Sequence, residues 1–370
     1  MPTATTAPDH HNAVDPLPLP PAHYAEQALL GALLLEPHRL QELGDMEPEQ
    51  FANAAHRALF TALRATPPPD ADEHARDATW LSTVLATARA TMPTLTPGYP
   101  HQLVQACPWP RHLPSYARIV RGEHARRLLR AHAAQLNQAA TDLALPDPVA
   151  EVITQAEALA ALLDRMTGQF ASHPGSMPRT PAPAPSGGQP RAESMEEERM
   201  LLAGATACPS EVAELRWLMP ADFVHPLHAT LWTCLTTLVH RGTDIDPVTV
   251  LWEAQHRGAI HPGGATAEDV LAIVSTPVGS PDFWAEKILR RSFLTRACSV
   301  AARIASLAED PANTPHQLVV AGRRALTDLT AVAARLHQAI SPTPAPRARS
   351  AAHAAPARPR AGPPAQRATR

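Results

Sequence analysis

One pattern of residues occurs twice in this chain, 172 positions apart. Residues 50–60 read QFANAAHRALF and residues 222–232 read DFVHPLHATLW, so Phe, His, Leu and a large aromatic hold the same relative positions. The same offset aligns, without gaps, Glu26 with Glu198, Leu29 with Leu201, Leu30 with Leu202, Pro37 with Pro209, Glu42 with Glu214, Leu43 with Leu215, and Pro48 with Pro220. A small shift then aligns residues 116–121, YARIVR, with residues 284–290, WAEKILR. Two copies are too few for a solenoid, so the sequence predicts a tandem duplication of one domain.

The composition favours an all-α fold. Hydrophobic residues make up 45% of the 370 positions, which is enough for a packed core, but aromatic residues make up only 4%. Ala and Leu are abundant and are strong helix formers, whereas aromatic residues are enriched in strands. We therefore predict two tandem small helical-bundle domains, each ending in a long helical hairpin.

Helix signals follow the same order in both copies. A first helix carries the pattern Glu-x-x-Leu-Leu, and in copy two Ser194 and Glu197 predict a capping box at its start. A second, short helix is predicted to begin at Pro37 in copy one and at Pro209 in copy two. The third helix is predicted to begin near Asn53 in copy one and near Pro226 in copy two, and the apolar spacing around the His pattern predicts one buried face on it.

The later helices differ more between the copies. In copy two, Asp246 and Gly258 are predicted to bound a further helix, while the equivalent part of copy one, near residues 77–90, is divergent. Both copies are predicted to finish with an antiparallel pair of long helices, because only short loops separate the apolar segments. These helices are predicted at residues 114–143, 147–165, 282–308 and 315–339.

Proline-rich segments divide the chain. The 41 prolines crowd the N-terminus, the middle and the C-terminus, where few apolar residues are present to offset the entropy of ordering. We predict disorder at residues 1–22, copy one at 23–166, a Pro/Gly/Ser linker at 167–192, copy two at 193–339 and a disordered Arg/Pro/Ala-rich tail at 340–370. The sequence leaves open whether the two copies pack against each other or associate only between chains.

Charge, cysteine usage and hydropathy exclude several classes of protein. The net charge is −3, so no global field attracts the whole chain to nucleic acid. The four cysteines form no C-x-x-C pair and are too few for a disulfide framework, which favours a reduced, cytoplasmic setting. The N-terminus has neither the basic start nor the apolar stretch of a signal peptide, and the longest apolar run is too short to span a bilayer.

The order and spacing of these patterns, seen twice, resemble the N-terminal domain of DnaB-type replicative DNA helicases. The patterns are Glu-x-x-Leu-Leu-Gly, Phe-x-x-x-x-His-x-x-Leu-Phe, Asp-x-x-Thr-Val followed by Arg-Gly, and Tyr-Ala-x-Ile-Val-Arg, spread over most of residues 24–338. The resemblance implies an all-helical domain that ends in a helical hairpin. It further implies a collar above the helicase motor ring, without catalytic residues, on which primase and some loading factors dock.

The chain departs from the family where the motor would follow. In the family a RecA-like ATPase comes after the collar, whereas here a second collar domain does. A P-loop requires a lysine within G-x-x-x-x-G-K-[ST] to reach the β- and γ-phosphates. The single lysine, Lys287, lies in FWAEKILRR with no glycine nearby. We therefore expect no ATPase activity, no catalytic residue and no cofactor from these 370 residues, although the family name is that of a DNA helicase.

The repeated histidines could be read as ligands or catalytic bases. No nucleophile or pair of carboxylates recurs beside His56 or His228 in the sequence, and a histidine among apolar neighbours is usually a packed, hydrogen-bonded core residue. His225 and His228 are spaced to share a metal, but copy one has Asn53 at the position of His225, so no metal site is predicted. The predicted structural core comprises Leu29, Leu30, Phe51, His56, Leu59, Phe60, Leu201, Leu202, Phe223, His228, Leu231 and Trp232.

Arginines offer a possible contact with nucleic acid. The tail carries arginine and no acidic residue, so it could bind phosphates or merely stay solvated, and it has no aromatic residue for base stacking. The possible contacts are Arg347, Arg349, Arg358, Arg360, Arg367 and Arg370. The clusters at residues 126–130 and 290–291 are interpreted as solvated faces or interface charges.

Three functions remain open from the sequence. The first is a non-catalytic interaction protein of DNA replication that binds the replicative helicase, the primase or a loader. The second is a collar subunit of a helicase whose ATPase is on another chain. The third is a DNA-binding regulator that acts through weak contacts of its tail. All three functions are compatible with a homo-oligomer. None of them involves a membrane partner.

Overall fold

The computed structural model describes residues 19–142, 144–170, 178, 180–181, 183, 191–275 and 279–341, with the backbone alone at residues 71, 73 and 75. Most of the segments predicted to be disordered lie outside these residues. The helices that border them begin or end one to three residues away from the predicted boundaries, at Pro21, Gln169, Ala192 and Ile340.

The described residues form fourteen α-helices and no β-strand, which confirms the all-α class. Copy one contains α1 (Pro21–Leu35), α2 (Ala54–Ala65), α3 (Ala71–Arg76), α4 (Thr79–Thr91), α5 (Tyr99–Gln105), α6 (Leu113–Thr141) and α7 (Pro148–Gln169). Copy two contains α8 (Ala192–Ala207), α9 (Pro209–Val212), α10 (Pro226–Arg241), α11 (Pro247–His256), α12 (Ala267–Val274), α13 (Pro281–Glu309) and α14 (Pro315–Ile340). The second, short helix of copy one is a 3₁₀-helix, Pro37–Leu43.

Most helix starts follow from local chemistry. Asn53 Oδ1 accepts hydrogen bonds from the amides of Ala55 (2.8 Å) and His56 (3.3 Å), which caps α2. Asp246 caps α11 in the same way, and Pro247 fills the first helical position, where a missing N–H costs least.

The predicted capping box at Ser194 and Glu197 is wrong. Helix α8 begins at Ala192, so Ser194 lies inside the helix and its side chain caps nothing. The Glu197 carboxylate instead contacts Arg291 and lies 2.8 Å from Lys287 Nζ, both on α13. Lys287 and Arg291 on a distant helix therefore bind the Glu197 side chain, which the sequence predicted to cap its own helix.

Two hydrophobic cores form among the described residues, and they do not divide at the linker. The first joins α1, α2, α4 and α5 to the beginning of α6. The second joins all of copy two to α7 and to the rest of α6, from Ala125 onward. The hairpin of copy one is therefore packed against copy two.

The two hairpins form one four-helix bundle. Helix α6 packs along α13, and α7 packs along α14, while each hairpin also holds its own two helices together. Gly322 on α14 permits close approach, because a Cβ atom there would lie 3.0 Å from a methyl carbon of Leu163 on α7. The two copies are thus paired within one chain, which answers the question that the sequence left open.

A single arginine joins helix α6 to the end of α13 and the turn that follows it. Arg126 on α6 donates to the carbonyl oxygens of Ala308 (3.4 Å), Asp310 (2.8 Å) and Pro311 (3.3 Å), and it also contacts the carbonyl of Asn313. These carbonyls belong to the C-terminus of α13 and the turn that follows, where backbone acceptors lack helical partners. Arg126 therefore satisfies groups of copy two from a helix of copy one.

Candidate functional site

A buried glutamate holds the repeated histidine of copy one. Glu26 on α1 lies with its Oε2 atom 2.7 Å from His56 Nδ1 on α2, and both side chains are almost fully buried. Glu26 also accepts from the backbone amides of Ala52 (2.6 Å) and Asn53 (3.3 Å), which precede α2. Burial alone would raise the pKa of Glu26, but the hydrogen bonds from His56 and from these amides together hold it below the ordinary value.

Copy two repeats this arrangement. Glu198 Oε2 lies 2.9 Å from His228 Nδ1, and the carboxylate accepts from the amides of Val224 (2.7 Å) and His225 (3.3 Å). The glutamate precedes the histidine by 30 residues in both copies. In each copy the carboxylate therefore ties the first helix to the loop that starts the histidine helix.

The sequence interpretation placed these histidines in the core but did not identify their partners. The sequence aligns Glu26 with Glu198 as part of a leucine pattern, which does not predict that either glutamate pairs with a histidine. The constant spacing of 30 residues was the available signal. The predicted core residues are buried except Phe223, which is only half-buried against Trp232.

The arrangement of each Glu–His pair is that of a structural contact, because the carboxylate accepts hydrogen bonds from backbone amides. A histidine oriented by a carboxylate is also part of catalytic triads, but a triad requires a nucleophile within hydrogen-bond reach of the second ring nitrogen. His56 Nε2 is buried and has no hydrogen-bond partner among the described residues. Among the described residues no group of three or more His, Cys, Asp or Glu side chains has the arrangement of a metal site.

Each pair is accompanied by a second histidine. The ring of His23 lies 5.0 Å from that of His56, and the ring of His225 lies 4.7 Å from that of His228. Burial, and then the neighbouring histidine, lower the pKa of both His23 and His225. The second histidine comes from α1 in copy one and from the residue before α10 in copy two, so the two positions do not align in the sequence.

Copy two adds an arginine to its pair. Arg291 on α13 lies with Nη2 2.6 Å from Glu198 Oε1, and it also contacts Glu197. The alignment places Gly122 of α6 at the matching position of copy one. The long helix of copy two is therefore tied to its first helix by charge, whereas Gly122 offers no such contact.

A second charged cluster is also specific to copy two. The buried Asp222 carboxylate is bound by both Nη atoms of Arg335 on α14, at 2.5 and 3.0 Å, and it accepts from Ser292 Oγ at 2.8 Å. Burial alone would raise the pKa of Asp222, but these hydrogen bonds and the Met219 amide lower it overall. Copy one has Gln50 at this position, and its buried Oε1 atom has no hydrogen-bond partner within the part of the chain that the structure describes.

Among the described hydrogen bonds and ion pairs of the arginine clusters found in the sequence, only those of Arg126 reach the other copy. Arg126 binds carbonyls of copy two, and Arg127 donates to the carbonyl of Gln50 at 2.8 Å. Arg290 pairs with Glu286 on its own helix, at 2.8 Å. The six tail arginines from Arg347 to Arg370 lie outside the described residues.

No described helix combines the length and the apolar character that a membrane crossing requires.

Comparison with known proteins identifies the repeated unit. Residues 19–122 and residues 191–288 each match the DnaB-like helicase N terminal domain. Each match stops within the first three turns of a long helix, α6 or α13. No curated protein and no solved structure matches the chain significantly. Because the two matches together span more than half of the sequence, the chain belongs to the family of the DnaB-like helicase N-terminal domain, which it carries twice.

Proposed function

We propose that this chain is a non-catalytic interaction protein of DNA replication, which presents two pre-paired collar domains to the replicative helicase, its primase or a loader. The observation that carries the proposal is the four-helix bundle formed by α6, α7, α13 and α14 of one chain. Pairing within one chain removes the entropic cost of bringing two domains together, so the composite surface exists at any protein concentration.

The charges of the bundle favour a fixed pairing. Arg126 donates to several backbone acceptors of copy two, and hydrogen bonds from a charged donor are stronger than neutral ones. At the other side of the bundle, Arg323 Nη2 lies 2.5 Å from Asp164 Oδ1, across the α7–α14 contact. A partner protein would therefore meet one rigid body that spans both copies.

The proposed absence of catalysis follows from the sequence and from the contacts of its lysine. Lys287 is the only lysine, and its ammonium lies 2.8 Å from the Glu197 carboxylate on the surface of a helix. A P-loop lysine must instead point into a glycine-rich loop that cradles phosphates. We therefore expect the purified chain to hydrolyse no ATP.

The test is size-exclusion chromatography with light scattering. The full chain is run alone and with the replicative helicase, the primase and the helicase loader of the same organism, each at micromolar concentration. A shared peak of defined mass with one of them supports the proposal and gives its stoichiometry. Separate peaks in every mixture would contradict it.

A collar subunit that works in trans is the second candidate. It is favoured by the family match, which covers collar sequence and no motor. This candidate predicts that the chain stimulates DNA unwinding by a separate chain that carries only the ATPase. A motor chain whose unwinding rate is unchanged by the addition of this chain would rule it out.

A further inference from the structure

A groove of about 890 Å³ lies where the two copies meet. It is bounded by the start of α1, by one face of α6, by the end of α7 and by the turn between α13 and α14. The groove depends on the bundle, because α6 belongs to copy one and the α13–α14 turn belongs to copy two. An isolated copy would not contain it.

The floor of the groove is apolar and partly uncovered. Ile119 on α6 is 48% exposed in the groove, whereas its counterpart in copy two, Ile288, is fully buried. Pro20, Pro21 and Pro311 line the same groove and are exposed. At equivalent positions, copy two therefore buries its isoleucine, whereas copy one leaves its isoleucine accessible.

The wall of the groove on α6 is cationic. Arg118, Arg126 and Arg130 lie at four- or eight-residue intervals on one helix face. Arg126 is held by the carbonyls of copy two, and Arg130 makes a partly exposed pair with Glu123 at 3.3 Å. Arg118 is exposed and makes no hydrogen bond or ion pair with the part of the chain that the structure describes.

Acidic side chains in the groove do not balance this charge. The lining contains three arginines and two glutamates, Glu123 and Glu309, and Glu123 is already paired with Arg130. An occupant with carboxylates close to Arg118 would therefore be attracted, and its apolar side chains could cover Ile119. An apolar stripe flanked by one sign of charge is the pattern of an amphipathic helix that binds in a groove.

We propose that the groove binds an acidic amphipathic segment of the partner protein, with apolar side chains on Ile119 and the prolines and carboxylates on Arg118 and Arg130. The inference rests on the proposed function, because it names where that partner docks and by which chemistry. Single-stranded DNA fits the groove less well, since the two aromatic rings in the lining, Phe170 and His316, are both half-buried and offer little stacking surface.

The first experiment locates the contact. The photo-cross-linking amino acid p-benzoylphenylalanine replaces Ile119 in one sample of the full chain and Val248 in another. Val248 is 67% exposed on α11 and lies outside the groove, so it is a matched surface control. Each sample is irradiated with the helicase, the primase and the loader in turn, and cross-linked peptides are identified by mass spectrometry. We expect cross-links from position 119 to a peptide rich in Asp, Glu and aliphatic residues, and none from position 248.

The second experiment measures the charge dependence. Arg118→Glu should weaken partner binding by roughly tenfold, since like charges would face each other across the contact. Arg199→Glu is the matched control, because Arg199 is also an exposed arginine on a helix but does not line the groove. Reversal of the cross-linked acidic residue of the partner to lysine should restore binding to the Arg118→Glu chain. Thermal unfolding by circular dichroism verifies that each variant is folded.

The outcomes separate the two proposals. If a complex forms but Arg118→Glu binds as tightly as Arg199→Glu, the groove is not the docking site and the proposed function stands. If none of the three proteins forms a complex, both proposals fall. If a 20-nucleotide single strand binds and Arg118→Glu abolishes its binding, while no protein does, the groove is a phosphate site and the inference is wrong.

Discussion

At the scale of single residues, each copy depends on one buried carboxylate. Glu26 and Glu198 each accept hydrogen bonds from two backbone amides and hold one histidine, so their side chains satisfy amides that have no other acceptor among the described residues. Removal of a buried partner leaves those donors unsatisfied, which costs more than the net value of one hydrogen bond. The repeated Glu–His pair is therefore a clamp between helices, and the duplication preserved it while the surrounding charges diverged.

Substitution of the clamp should destabilise the fold. We expect Glu26→Ala to lower the free energy of unfolding by about 2–4 kcal/mol, because two amides and the His56 ring lose their acceptor in a buried site. Urea denaturation followed by circular dichroism measures the change. Glu157→Ala on α7 is the control, since this exposed glutamate makes no described hydrogen bond. Equal stability of the two variants would show that the clamp contributes nothing.

Protonation should weaken the fold in mild acid. Burial lowers the pKa of His23, His124, His132 and His225 below the ordinary 6.5, so the unfolded chain binds protons more tightly than the folded chain. The stability that this provides is complete above pH 6.5 and is lost as the pH falls from 6.5 towards the folded pKa values. Urea titrations at about pH 7.5 and about pH 5.5 should show a lower free energy of unfolding at the acidic value. A value that is unchanged or higher at the acidic pH would contradict the prediction.

The two copies themselves suggest a variant at one of these histidines. Asn53 caps α2 through its side chain, whereas His225, at the matching position before α10, makes no capping hydrogen bond. His225→Asn should therefore add a cap worth about 0.5–1 kcal/mol and reduce the pH dependence of stability. The same urea titrations measure both effects, with Asn53→Ala as the reciprocal variant that loses a cap. A His225→Asn chain that is less stable than the parent at neutral pH would refute the capping argument.

At the scale of helices, the sequence predicted a helix start correctly where the contacts that fix this start lie within a few residues of it. Asn53, Asp246 and the prolines at helix starts act on backbone within a few residues, so the sequence predicted those helix starts. The capping box at Ser194 failed because the helix begins at Ala192, and because Arg291, 94 residues from Glu197 in the sequence, binds the Glu197 carboxylate. The clamp partners were missed for a related reason, since a contact over 30 residues leaves no periodic pattern. Only the duplication, by repeating that spacing, could have revealed it.

Helix packing in the bundle requires a small residue at one contact. We expect Gly322→Leu to lower the free energy of unfolding by about 1–3 kcal/mol, because a side chain there would overlap the Leu163 methyl carbons. Gly168→Ala on α7 is the matched control: a Cβ atom there meets nothing within 4 Å. That variant should gain up to about 1 kcal/mol from helix propensity. Thermal melts compare the two, and a stabilised Gly322→Leu chain would show that α7 and α14 are not tightly packed.

At the scale of the whole molecule, the linker joins two copies that share a core. The second hydrophobic core contains Leu129, Leu136, Leu159 and Leu163 of copy one together with the interior of copy two. The sequence could not establish this arrangement, because the same amphipathic hairpins could pair within a chain or between chains. The matched family segments stop within the first three turns of α6 and α13, so most of the bundle lies outside the family match.

Separation of the copies should therefore expose a surface that re-forms the bundle. We expect fragments 19–170 and 191–341, expressed separately, each to self-associate through its uncovered hairpin, and to form a 1:1 complex when mixed. The driving force is the apolar area of α6, α7, α13 and α14 that the intact chain buries. Light scattering after size exclusion measures the masses. Arg126→Glu in the first fragment should weaken the mixed complex without affecting its own folding, because the described hydrogen bonds of Arg126 go to carbonyls of copy two and its described ion pair is with Glu123 on the same helix. If both fragments stay monomeric when mixed, the copies do not pair through their hairpins, and the surface proposed for partner binding would not exist.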